Sequence, residues 1–483
     1  MKPFSAPSPF SLVIFGASGN LAKLKIYPAL YVLALKKRFP GDYAIVGFAR
    51  TEMAEAEFRK FVEGAVRAEI PEVNEKILES FLSRVHYAGG RYDNKEDFSG
   101  LAKKLWSLER KWNCSVRLAY LSVPPMVFSQ VLENMFAGGV HDKKIPFRCI
   151  VEKPVGHDLK SFEAVQAQLL GFFKNEEIYL LDHYLGKEAV RNVYYLRFAN
   201  PVFERLFKNS LIHHVEIAAM ESLGLEGRTG YFDHTGTLRD MFQSHLLMMA
   251  SLLTMLIKES EDTIRESRLN ALKQLYLPPA ADLNDIILQG QYTKGKTHGE
   301  TVIGYREEDD IPDNSRANTY VALKLLSREF RWQGVPFYLR SGKRMGKKET
   351  RISIQFREPH VVGEGGAPNR MDVILQGEAG MRLHLQTKIG GTTPAFRPLI
   401  LEDPLVCMGD CLPEHGLLLL EAIHGKQTWF LTPDEVRASW RIVDPLQHHL
   451  EKEDTPLHLY PAGGNGPQEA VEWAAKDGVK WMA

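Results

Sequence analysis

The sequence predicts a doubly wound α/β domain followed by an α+β domain built on a large antiparallel sheet, and three observations predict it. Short apolar runs alternate with helical segments through the first part of the chain, the pattern of a parallel sheet covered on both faces. A glycine-rich turn joins the first apolar run to the first helical segment. Beyond about residue 183, strand-like segments alternate in polarity and follow one another without regular helical crossovers, as in an antiparallel sheet with one face buried and the other polar or covered. At 483 residues the chain exceeds the size at which a single core stops growing, so two domains are expected, 1–182 and 183–483.

The first strand, Ser11-Leu12-Val13-Ile14-Phe15, runs into Gly16-Ala17-Ser18-Gly19-Asn20-Leu21-Ala22, after which Ile26, Leu30 and Leu33 recur at helical spacing. Strand, glycine turn and helix let the backbone approach a pyrophosphate at a helix start. A second strand, Tyr43 to Phe48, completes a βαβ unit. An acid closing that strand would bind the ribose 2′-hydroxyl of NAD; Arg50 stands there instead and suits the 2′-phosphate of NADP. The alternation continues through an amphipathic Glu55 to Arg67 and strands at Arg117 to Val123 and Phe147 to Val151. Glu152-Lys153-Pro154-Val155-Gly156 follows the last of these, which puts Lys153 at a strand's carboxyl end, where such sheets bind ligands.

The apolar run Ile178-Tyr179-Leu180-Leu181 breaks off into Asp182-His183-Tyr184-Leu185-Gly186-Lys187-Glu188. An acid, an imidazole and a cation gather at a strand end, and His183 and Lys187 share one face of a helical turn, where they could converge on a phosphate. In the second domain the strands are expected at Leu211 to Met220, Arg351 to Phe356 and Met381 to Gln386, with an apolar helix from Leu246 to Ile257 that Asp240 and His245 open.

Composition limits the partners. Lys plus Arg equals Asp plus Glu at 60 each, which argues against a nucleic-acid surface and makes any anion site local. The start, Met1 to Pro7, is short and broken by proline, unlike a signal peptide, and no apolar run reaches membrane-span length, so a soluble cytoplasmic protein is expected. Cys114, Cys149, Cys407 and Cys411 form no disulfide framework and no zinc site, and reduced thiols are the default.

The stretch Asp-His-Tyr-Leu-Gly-Lys-Glu at 182–188 closely resembles the signature of the glucose-6-phosphate dehydrogenase family. The likeness extends to the Gly-Ala-Ser-Gly turn, to Gly47-Phe48-Ala49-Arg50, to Glu152-Lys153-Pro154-Val155-Gly156, to Glu226-Gly227-Arg228-Thr229-Gly230-Tyr231-Phe232-Asp233 and to Gly236 through Leu247, and it reaches Glu435 to Ile442 near the end. It implies oxidation of glucose 6-phosphate at C1 to the lactone, with hydride passing to NADP, NAD being a poorer acceptor and no metal taking part. His245 matches the family's catalytic base, and Asp182 its orienter. His183, Tyr184 and Lys187 match the phosphate ligands. Lys153, Glu221, Asp240, Lys343 and Lys348 match sugar contacts, and Lys25 matches a residue lining the junction between domains. Gly16, Ala17, Ser18, Gly19, Asn20, Leu21, Arg50 and Lys153 match the cofactor site.

Three departures stand out: Asn20 replaces a common Asp, Met220-Glu221-Ser222 replaces Lys-Glu-Pro, and Lys348 stands where some members carry Arg, losing the bidentate fork. Arg340 and Gln376 match parts of a second, structural NADP site or of the sugar site, too incomplete a set to claim that site. The family also suggests a homodimer, or a dimer of dimers, through the large sheet. Two rival readings remain: a dehydrogenase of another aldose 6-phosphate, and a catalytically silent sugar-phosphate or NADP sensor. The presence of both Asp182 and His245 speaks against the sensor.

Overall fold

Six apolar stretches form the first sheet: β1 (Phe10–Phe15), β2 (Tyr43–Ala49), β3 (Val85–Gly89), β4 (Val116–Leu121), β5 (Phe147–Glu152) and β6 (Ile178–Leu181). They come from a computed structural model that describes residues 7–142, 144–153, 155–225, 229–258, 260–297, 299–359, 366–392, 395–405 and 407–481. Met1 to Ala6, Pro154 and the Glu226-Gly227-Arg228 portion of the motif lie outside the described residues. Every pairing in this sheet is parallel, and the order is β3-β2-β1-β4-β5-β6. β1, β2 and β4 are buried at every position, which is why they read as largely apolar runs, interrupted by Ser11 in β1 and Arg117 in β4. The order reverses between β1 and β4, so their carboxyl ends form the switch point at which such sheets hold ligands.

One charged residue inside that sheet is accounted for by pairing. Arg117 of β4 is fully buried, and its guanidinium grips Glu109 through two bonds of 2.6 Å. Ser11 of β1 donates to the same carboxylate at 2.6 Å. Charge enters such a core only with its partner and its hydrogen bonds.

The contacts divide the chain into two units, Met1–Lys187 with Met408–Pro433 and Glu188–Cys407 with Asp434–Ala483. The returning segment supplies the first unit with the helix Glu414–His424. It is tied in by a bridge between Leu180 and Leu431 and by the Arg148 guanidinium, which donates to the Ala422 carbonyl at 2.8 Å. The division expected from sequence, 1–182 and 183–483, contains no such return, because a segment pairing with residues some 250 positions earlier leaves no local pattern.

The second unit is built on β7 (Ile212–Met220), β8 (Leu275–Tyr276), β9 (Ile287–Thr293), β10 (Gly295–Thr297), β11 (Glu300–Val302), β12 (Tyr320–Ser327), β13 (Phe337–Gly342), β14 (Glu349–Phe356), β15 (Arg370–Gln376), β16 (Gly380–Lys388), β17 (Phe396–Pro404) and β18 (Leu457–Pro461). The large sheet runs β17-β16-β15-β14-β7-β13-β12-β9-β18, with β8 attached to β12 and a separate β10-β11 hairpin. It is mostly antiparallel; β13 on β7 and β18 on β9 are parallel. The central β13 is buried throughout, whereas β17 is largely exposed. The sheet's centre is therefore covered on both faces, whereas its β17 edge is not.

Cys114 and Cys149 are free, but Cys407 and Cys411 are disulfide-bonded. This corrects the expectation of four reduced thiols: cysteines separated by three residues can close a local loop, which a compartment-based default does not consider.

Candidate active site

The glycine turn after β1 is shaped by crowding. Gly16 has φ +80°, and a Cβ there would sit 2.1 Å from the Ser122 carbonyl oxygen at the end of β4. Only glycine fits, and the backbone comes forward at the switch point. The Gly16 and Ala17 amides donate to the Phe48 carbonyl at 3.0 and 3.3 Å, and Gly19 N–H to Gly16 at 2.9 Å. Ser18 Oγ lies 3.0 Å from Thr51 Oγ1, which joins the turn to the end of β2. Arg50 is exposed there, with its guanidinium 5.8 Å over the Tyr92 ring. Asn20 and Leu21 begin the helix, which continues as a wide π-helical stretch, Ala22–Ile26, before becoming α-helical at Tyr27. Lys25 is exposed on that stretch.

A glycine cradle that admits no side chain, with an exposed guanidinium at the end of the neighbouring strand, fits a dinucleotide carrying a 2′-phosphate. Gly16 to Leu21 would face its pyrophosphate and Arg50 the extra phosphate.

At the end of β5, Glu152 accepts a hydrogen bond from Tyr120 Oη and lies 3.5 Å from His415 Nε2. Burial and the Glu152 charge push the Tyr120 hydroxyl well above its ordinary range, so it stays a donor. Lys153 follows, half-buried. At the end of β6, Asp182 is fully buried and caps the one-turn helix His183–Gly186 through its Oδ1, 2.9 Å from the Tyr184 amide. That turn gathers its polar groups: the Lys187 ammonium sits 3.8 Å over the Tyr184 ring, and the His183 and Tyr184 rings are 5.0 Å apart. The His415 ring lies parallel to His183 at 6.5 Å. A Cβ on Gly186 would lie 2.6 Å from the Glu414 carbonyl oxygen, so this glycine lets the turn approach the helix that carries His415. Sequence reasoning missed His415; its only signal was a lone histidine more than 200 residues away.

In the second unit, Asp240 and His245 lie on a nine-residue π-helical stretch, Leu238–Leu246, that continues as the α-helix Leu247–Thr254. Asp240 is partly exposed and His245 is 3 % exposed. Wide turns of this kind re-aim side chains and recur at functional sites. Asp240 and Lys343 line one small cavity with Leu225, Tyr231 and Phe232. The Lys343 ammonium contacts Glu221 at 2.5 Å and lies 4.9 Å from the Phe232 ring centre. Three of the expected sugar contacts, Glu221, Asp240 and Lys343, are thus neighbours. Lys348 is exposed in the turn before β14, outside that cluster. Arg340 is buried, 3.6 Å from Glu216 and 4.7 Å over the Trp481 ring. Gln376 accepts from Thr350 at 3.3 Å.

Residues 13–192 match the family model described as glucose-6-phosphate dehydrogenase, NAD binding domain, and residues 194–482 the one described as glucose-6-phosphate dehydrogenase, C-terminal domain. The chain belongs to the glucose-6-phosphate dehydrogenase family. Among curated relatives, glucose-6-phosphate 1-dehydrogenase of Chlamydia pneumoniae is 36 % identical over 99 % of this chain and 97 % of that protein. The Bacillus subtilis enzyme of the same name is 34 % identical over 97 % of each. A solved glucose-6-phosphate dehydrogenase in complex with its substrate glucose 6-phosphate superposes with a TM-score of 0.90 at 29 % identity, covering 99 % of this chain and 100 % of that one. Glucose-6-phosphate 1-dehydrogenase from Mycobacterium avium gives 0.82 at 27 % identity, with 99 % of both chains covered. The α/β and α+β architecture and the dinucleotide-binding first domain are those of this family. No helix among the described residues is long and apolar enough to cross a membrane.

Proposed function

We propose that this enzyme oxidises D-glucose 6-phosphate at C1 to 6-phospho-D-glucono-1,5-lactone with NADP as hydride acceptor, the entry step of the oxidative pentose phosphate pathway. One observation carries the reading above all others: the family likeness runs the full length of the chain, through the glycine turn and Arg50 as well as through Asp182 and His245. In this proposal residues 1–182 hold the dinucleotide, and 183–483 supply the sugar-phosphate groups and a dimer surface.

NADP, when bound, supplies the electrophilic nicotinamide carbon that takes the hydride from C1. The chain supplies position and proton traffic. His183, Tyr184 and Lys187 hold the 6-phosphate, with cation and hydroxyl donors on one turn. Glu221, Asp240, Lys343 and Lys153 address the sugar, and Lys25 and Lys348 complete the substrate-binding set; a carboxylate left unpaired by a missing hydroxyl discriminates strongly against the wrong sugar. His245 takes the C1 hydroxyl proton as the carbonyl forms. Asp182 holds the imidazole in the tautomer that presents its lone pair and stabilises the imidazolium that results. No metal ion takes part. The enzyme works in the cytoplasm as a homodimer or dimer of dimers, without nucleic acid or membrane as partner.

The test is NADPH absorbance with glucose 6-phosphate and NADP in the presence of a chelator, repeated with galactose and glucosamine 6-phosphates. A specificity constant highest for glucose 6-phosphate is expected. Preference for another sugar phosphate would replace the substrate, and binding without turnover would favour a sensor.

A further inference from the structure

A second pocket, bordered by cations, lies in the second unit. A surface pocket of about 390 Å³ lies between the helix Ile264–Gln274 and the helix Pro433–Leu450, beside β8. Lys273, Arg328 and Arg441 border it, all three exposed, and no carboxylate lines it among the described residues. None of the three cations makes a salt bridge to a described residue. In a chain with 60 cations and 60 anions, three like charges around one cavity mark a local positive potential that an anion would relieve.

Apart from these cations and Tyr276 the lining is apolar, made by Leu272, Leu275, Leu277, Ala438 and Ile442. One wall is an aromatic and cationic stack. β8 pairs with the end of β12, Tyr276 opposite Leu326, and the Arg328 amide donates to Gln274 at 3.0 Å. This register sets the Arg328 guanidinium 4.1 Å over the Tyr276 ring. A guanidinium over a tyrosine ring belongs to the kind of planar cationic and aromatic surface on which a ligand ring stacks. The two helices are joined by Arg268 and Glu435, neither with any exposed side-chain surface, through bonds of 2.5 and 3.1 Å. A buried bidentate pair of this kind fixes the spacing of the walls, so the pocket is preformed.

We propose that this pocket binds a nucleoside polyphosphate, its base against the Arg328–Tyr276 stack and its phosphates against Lys273 and Arg441. The volume lies within the range of small-molecule sites, and an apolar lining with three cations suits a flat body carrying concentrated negative charge. The site shares no residue with the glycine turn of β1 and none with the groups assigned to catalysis.

The experiment is calorimetric titration of the full chain with ATP at saturating NADP, so that the first domain cannot accept the probe. One ATP per chain is expected to bind, with adenosine and inorganic tripolyphosphate each at least tenfold weaker. The Lys273→Glu/Arg441→Glu double variant should lose at least tenfold in ATP affinity while its KM values for NADP and glucose 6-phosphate stay unchanged, which also reports that it is folded. Arg441→Lys should retain most of the binding. Arg328→Leu should bring ATP down to the level of tripolyphosphate. No ATP binding at saturating NADP, unaltered binding by the double variant, or tripolyphosphate binding as tightly as ATP would each overturn the proposal. None of these outcomes bears on whether the chain oxidises glucose 6-phosphate.

Discussion

Arg50 shows how much one side chain settles. Exposed at the end of β2, beside the turn that Ser18 and Thr51 close, it was legible in the sequence because a βαβ unit fixes which residue follows the second strand. Arg50→Ala should weaken NADP far more than NAD, since only NADP offers the guanidinium a phosphate. A charged hydrogen bond is worth roughly 1.5–3 kcal/mol, about ten- to a hundredfold in Kd; titration of both cofactors checks it, and equal losses would remove the assignment. Lys187, poised over the Tyr184 ring, should behave in the same way toward the sugar. Lys187→Ala should raise the KM for glucose 6-phosphate by about tenfold or more while free glucose, a poor substrate, is nearly unaffected. A parallel loss for both sugars would indicate a damaged fold. His245→Asn should lower turnover by about a hundred- to ten-thousandfold with substrate still bound, the usual contribution of a general base. Asp182→Asn should cost less, and because Asp182 also caps the turn His183–Gly186, its KM should be followed as well. The double variant should be little worse than His245→Asn alone, because groups acting as one unit do not add. Losses that multiply would separate the two residues and make Asp240 the next candidate base.

Element boundaries were legible wherever hydrophobic period alone decides them. β6 begins and ends where the apolar run does, and β1 and β5 each differ by one residue from the run that predicts them. β3 was missed because Val85-His86-Tyr87-Ala88-Gly89 mixes polarities at a sheet edge where β2 is its sole strand partner. The π-helical stretches Ala22–Ile26 and Leu238–Leu246 were not legible either: an added residue in a turn does not change which residue types are apolar. The helix Glu414–His424 carries a pH consequence at its last residue. Burial, then Lys426 and Arg148, push the His424 imidazole down to about 4, while its value in the unfolded chain is near 6.5. Between those values the unfolded chain binds a proton that the native chain refuses, so the stabilisation is complete above about pH 6.5 and is lost as pH falls toward 4. At Glu55, burial alone would raise the carboxyl, but hydrogen bonds from Lys104 and His86 outweigh it and hold the group at about 2. Its contribution therefore disappears at lower pH, between about 4.5 and 2. His424 keeps some contact with water, so its share is discounted to on the order of 1 kcal/mol, or ~2–4 °C in Tm. Thermal melts at pH 7 and pH 4.5 should show a smaller acid shift for His424→Gln than for the parent chain, and an identical shift in both would contradict this account.

At the scale of the whole molecule, the two family models meet near residue 193, close to the division read from the change in strand pattern, yet the first unit also claims Met408–Pro433. That return is decided by long-range pairing such as Leu180 with Leu431, which no window of sequence contains; His415 was missed for the same reason. The return has a consequence for stability, since the segment bearing Glu414–His424 is part of the first unit's own core, and ligand binding to β1 and β2 stabilises everything that unfolds with them. NADP at a hundredfold excess over its Kd should contribute ~2.7 kcal/mol, and for a unit of this size each kcal/mol moves Tm by ~2–4 °C, a rise of roughly 5–11 °C. NAD at the same concentration, bound about ten- to a hundredfold more weakly if Arg50 holds the 2′-phosphate as proposed, should stabilise less by ~1.3–2.3 kcal/mol. In Arg50→Ala the two cofactors should become equivalent. A chelator should change neither the NADP shift nor the turnover, because in the proposed mechanism the nicotinamide takes the hydride and His245 the proton, with no step left for a cation. Calorimetric scans of the full chain with each cofactor, with and without chelator, check all three expectations together: equal shifts for NADP and NAD in the parent chain would remove Arg50 from the cofactor site, and a shift or turnover lost to chelation would require a metal in the mechanism.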